Sequence, residues 1–79
     1  MEEILVPTQC DYNRNLGIEP RCDLEQLSGR SWIGVLYPEV QDWFTNQGLP
    51  IPEGRVKSYR HVTFKMPRKV ARIFTQVWL

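Results

Sequence analysis

Ser31-Trp32-Ile33-Gly34-Val35-Leu36 is the stretch on which the fold of this chain turns. A run this short has no periodicity that separates a buried strand from a turn leading into a helix. As a strand it builds an α+β protein with a three-stranded sheet and two packed helices. As a turn between helices it builds a small winged-helix-like domain with two or three helices and a β-hairpin.

The flanking segments are easier to read. Upstream, Asp23-Leu24-Glu25-Gln26-Leu27-Ser28-Gly29 predicts a short helix: Asp23 can cap it, Leu24 and Leu27 share a face, and Gly29 suits the left-handed exit. Downstream, Tyr37 to Gln47 predicts a firmer helix with Pro38 in its first turn, Glu39 at the positive end of its dipole, and Val40, Trp43 and Phe44 on one apolar stripe ended by Gly48. That stripe makes Trp43 and Phe44 core residues, whereas Trp32 and Trp78 are candidates for an interface. Leu49-Pro50-Ile51-Pro52-Glu53-Gly54 is a stiff turn.

From Arg55 to Met66 the parity is that of a strand, with Val56, Val62, Phe64 and Met66 on one side and Lys57, Tyr59, His61, Thr63 and Lys65 on the other. Ser58-Tyr59-Arg60-His61 either continues the strand or forms a hairpin tip. Pro67 opens a last helix whose buried face is expected to hold Val70, Ile73, Phe74 and Val77, and the apolar end Trp78-Leu79 packs on the core or on a partner. At the other end, Glu3 to Val6 is an edge strand or an arm, followed by a polar loop. Residues 1–79 are read as one domain, with 1–22 as arm and loop and 23–79 as its core.

The chain has 79 residues, 42% apolar, enough for a packed core with little stability to spare. Its acidic N-terminus lacks the positive charge of a secretory signal, and its longest apolar stretch falls far short of the roughly 20 residues that span a bilayer. The expectation is a cytoplasmic protein with no membrane partner. Cys10 and Cys22 then exist as free thiols, one or both half buried, or as a disulfide across a short loop. With His61 they make too few soft ligands for a metal site.

The net charge of +1 conceals a division. Residues 51–79 carry seven cations against Glu53 alone, a local charge of +6, and residues 1–50 carry three cations against eight carboxylates, a local charge of −5. A phosphate backbone responds to the field of one face, not to the total. Arg55, Lys57, Arg60 and Lys65 line the strand or hairpin, and Arg68, Lys69 and Arg72 crowd the start of the last helix, where cations oppose the helix dipole unless an anion binds there. Tyr59 and His61 stand among them, placed to stack on bases or to donate to phosphate.

These nine residues are the candidate nucleic-acid-binding set. The competing reading is a solvated basic face, or one neutralised by acidic residues of the same or a neighbouring molecule. No phosphate loop, carboxylate pair or nucleophile-base set stands out, so no enzyme, cofactor or small-molecule substrate is expected.

Leu24-Glu25-Gln26-Leu27-Ser28-Gly29-Arg30, then Val40 to Pro52 with its Gly48-Leu49-Pro50 exit, then Gly54-Arg55, resembles in layout a small winged helix-turn-helix of the MerR-like and phage excisionase-like type. The resemblance covers about half the chain. It implies that the helix from Pro38 to Gln47 enters a major groove of double-stranded DNA and that Arg55 to Lys65 forms the wing. It also implies a small phage or mobile-element regulator or accessory factor. The alternative is a protein-interaction module or inhibitor that docks, or self-associates, through its oppositely charged halves.

Overall fold

Trp32–Leu36 is a strand. The computed structural model describes residues 1–29 and 31–79, so Arg30 lies outside the described residues. In chain order the elements are β1 (Glu2–Pro7), α1 (Asp11–Asn15), β2 (Cys22–Gln26), β3 (Trp32–Leu36), α2 (Pro38–Asn46), β4 (Gly54–Ser58), β5 (His61–Met66) and α3 (Arg68–Trp78). The class is α+β, with one five-stranded antiparallel sheet in the order β1-β5-β4-β3-β2.

Two expectations for the N-terminal half are corrected. Asp23–Gly29 is not a helix: residues 23–26 belong to β2, paired antiparallel with β3 from Cys22↔Leu36 to Gln26↔Trp32. A segment this short gains little from its own helical hydrogen bonds, so the available partner strand decides its state. Gly29, with φ +60°, serves the β2–β3 hairpin turn, closed by Leu27 N–H to Ser31 O at 2.9 Å, and ends no helix. The segment after Pro7, expected as polar loop, holds the helix α1, whereas Glu3 to Val6 is the edge strand of its two expected readings. β1 pairs with β5 along its full length and buries Val6 in the core.

One row of side chains crosses the whole inner face of the sheet: Ile4, Phe64, Gly54, Gly34 and Leu24. The adjacent glycines leave room for large neighbours. A Cβ on Gly34 would strike the Val62 side chain, and one on Gly54 would strike the Gly34 carbonyl, with Phe64 Cε1 at 2.8 Å. Gly34↔Gly54 is the sole registered pair between β3 and β4 among the described residues, and the two strands diverge beyond it. The sheet rolls so far that its outer strands touch at one end, through the parallel bridge Thr8↔Cys22 and Arg21 N–H to Pro7 O at 3.1 Å.

The helices α2 and α3 close the inner face. Phe44 and Phe74 are buried beside Val40 and Ala71, and the Trp43, Phe44 and Phe74 rings contact one another at centroid distances of 5.0 to 6.2 Å. The stripe expected on α2 is therefore the one used. On α3 it is displaced: Ala71 and Phe74 are buried and Val70 and Trp78 pack beside them, whereas Ile73 and Val77 are half exposed. The large Phe74 sets the helix rotation, and Ile73 and Val77 fall to one side of the arc it defines. Cys10 and Cys22 are free thiols, half buried and buried respectively. Among the described residues no helix is long and apolar enough to cross a membrane.

Candidate nucleic-acid interface

The parity expected for residues 55–66 is realised as a hairpin. Val62, Phe64 and Met66 point into the core, which directs Arg55, Lys57, His61, Thr63 and Lys65 to the outer face. Tyr59 and Arg60 make the tip. Among the described residues none other than glycine has positive φ, so the tip lacks the left-handed geometry that suits a two-residue hairpin, and the register shift between Val56 and Ser58 accommodates the mismatch.

The tip is not free. Asn13 Nδ2 donates to Thr8 O at 3.0 Å and to Arg60 O at 2.8 Å, Thr8 N–H donates to Arg60 O at 3.0 Å, and Thr8 Oγ1 donates to Tyr59 O. Asn13 and Thr8 are both buried, so the hairpin end is tied to α1 and to the end of β1. The Arg60 guanidinium lies 4.3 Å from the Tyr12 ring centroid and 5.5 Å from that of Tyr59, within cation–π range of both.

Beside Arg55 the divergence of β3 and β4 opens a groove of about 640 Å³. Its lining includes Trp32 and Ile33 of β3, Arg55, Thr63 and Lys65 of the hairpin, and the carboxylate residues Glu3 and Glu53. Trp32 is 51% exposed and Tyr59 61%. Thr63 Oγ1 donates to Arg55 O at 3.2 Å, which fixes the hydroxyl between the two strands.

The charged partners divide the nine predicted residues. Lys65 Nζ is 3.8 Å from Glu3 Oε1, and Arg68 Nε is 3.5 Å from Glu2 Oε1. Both pairs are largely solvated, which limits each to about 0–1 kcal/mol and leaves the cations able to exchange partners. Arg55, Lys57, Arg60, Lys69 and Arg72 have no ion pair among the described residues.

Arg55, Lys57, Tyr59, Arg60, His61 and Lys65 thus share one hairpin, whose β5 spans about 14 Å from His61 to Lys65 at ~3.4 Å per residue. Arg68, Lys69 and Arg72 do not join them. Their helix covers the inner face, so its exposed side turns away from the outer one, and Glu2 supplies the anion that the start of α3 lacks in its own first turn.

Sequence reasoning missed Trp32 as part of the site, and missed Tyr12, Glu3 and Glu53 altogether. Trp32 carried a signal, an aromatic in an unassigned segment; the others reach the site only through strand pairing and the docking of α1. No known protein family matches this chain, and no curated protein or solved structure shows significant similarity to it.

Proposed function

We propose that this protein binds nucleic acid through the outer face of β4 and β5. The observation that carries the reading is the placement of Arg55 and Lys57 on an open face, without a carboxylate partner among the described residues, with the exposed Trp32 bordering the groove at Arg55 and the exposed Tyr59 at the hairpin tip. Cations hold the phosphates and aromatic rings meet sugars or bases.

Of the winged-helix layout, the basic hairpin is retained as the binding element. The reading helix has no part in it: α2 carries Glu39 and Asp42 and no cation, and the segment before it is a strand. A small DNA-binding regulator or accessory factor of phage or mobile-element type remains the proposed role. The rival reading, docking of charged halves, draws support from the Glu2–Arg68 and Glu3–Lys65 pairs, which show acidic and basic segments meeting within one molecule.

Fluorescence anisotropy with labelled oligonucleotides over a range of salt separates the two. Nucleic-acid binding predicts an affinity that falls linearly with salt on logarithmic axes, and Arg55→Ala and Lys57→Ala each reduce the slope by about 0.7–0.9. Absence of binding at low salt, together with concentration-dependent assembly that dissolves in salt, supports the rival instead.

A further inference from the structure

Resting on that reading, we infer that the ligand is single-stranded nucleic acid, with its bases laid against Trp32 and Tyr59 and its phosphates against Arg55 and Lys57. Three observations favour a single strand over a duplex. The first is steric. A helix or a two-stranded ribbon enters a major groove about 12 Å wide only when it projects from the protein, but β4 and β5 have β3 and β1 on their flanks and a tip fastened by Thr8 and Asn13.

The second is the pair of half-exposed aromatic rings. Trp32 borders the groove beside Arg55, and Tyr59 stands at the hairpin tip next to Arg60. Ring faces in water beside cations suit unstacked bases, which a duplex does not offer.

The third is Glu3 and Glu53 in the same groove. Facing a duplex they meet phosphates and repel them. Facing a single strand, they meet the Watson–Crick edges of its bases, whose amino and imino groups donate to carboxylates.

The test is a titration of single strands of about 12 nucleotides, deoxy and ribo, beside a duplex of the same length, at low salt. The expected result is binding of a single strand at least about tenfold tighter than the duplex. Trp32→Ala and Tyr59→Ala each weaken single-strand binding by about tenfold with an unchanged salt slope, whereas Trp32→Phe retains most of it. Far-UV circular dichroism of each variant establishes that it is folded, and Tyr59→Ala carries the test if Trp32→Ala is not. Binding of either sugar type supports the inference, and a preference between them identifies DNA or RNA as the source.

Equal or tighter binding of the duplex overturns the single-strand inference while leaving nucleic-acid binding in place. Binding of neither form overturns both. Loss of affinity in Trp32→Ala and Trp32→Phe alike, with no effect of Tyr59→Ala, overturns the stacking role.

Discussion

Cys22 has its Sγ 3.4 Å from Pro7 O and 3.8 Å from Val6 O, in a fully buried position. Burial first, and the Asp23 carboxylate second, push its pKa from 9.0 up to about 12. The unfolded chain releases this proton near 9 and the folded chain keeps it to about 12. Between those values the folded state holds more protons, so stability falls as pH rises, by up to about 1.4 kcal/mol per pH unit, and below 9 the group contributes no slope. Tyr37, raised by burial and then by Asp23, acts in the same direction. Urea unfolding of the native chain and of Cys22→Ala is expected to show a shallower alkaline decline in the variant. Parallel curves in the two would refute the burial argument. Nothing in Cys10-to-Cys22 spacing told the two thiols apart, because their difference lies in the strand pairing that encloses one of them.

At the scale of elements, the β4–β5 hairpin depends on Asn13 of α1. Replacing it with alanine removes both Nδ2 hydrogen bonds and leaves the Thr8 carbonyl buried without that donor, a cost of about 1–3 kcal/mol. The expected result for Asn13→Ala is a lowered Tm with faster amide exchange confined to the tip around Tyr59 to His61; unchanged exchange there would mean that the tip holds itself. Elements with their own periodicity were legible in the sequence: α2 from its Val40, Trp43 and Phe44 stripe, and β5 from the parity of Val62, Phe64 and Met66. The segment 23–29 was not. Leu24 and Leu27 fit a helical face and Leu24 also fits a strand, and the choice was made by Trp32–Leu36, whose state was itself open. On α3, Ile73 and Val77 belong to the apolar arc of the sequence, but Phe74 sets the rotation and leaves both half exposed.

For the whole molecule, the opposed charges of the two halves of the chain are partly brought together by folding. β1 carries Glu2 and Glu3 alongside β5, where they meet Arg68 and Lys65, and the roll of the sheet at Gly34 and Gly54 sets Trp32 beside Arg55. Six of the nine basic and aromatic positions expected in the interface lie on one hairpin; alternation put Lys57, His61 and Lys65 on a common side, whereas the tip at Tyr59 and Arg60 was one of two readings left open. The helical three were separated from them by layering, which no local pattern encodes. Chemical-shift mapping of the labelled protein with a short single strand reads this arrangement directly. The perturbed amides are expected in β4 and β5 and around Tyr59, with the Trp32 indole among the largest shifts and α2 unaffected. Shifts centred on α2, or on Arg68, Lys69 and Arg72 with β4 and β5 silent, would contradict it.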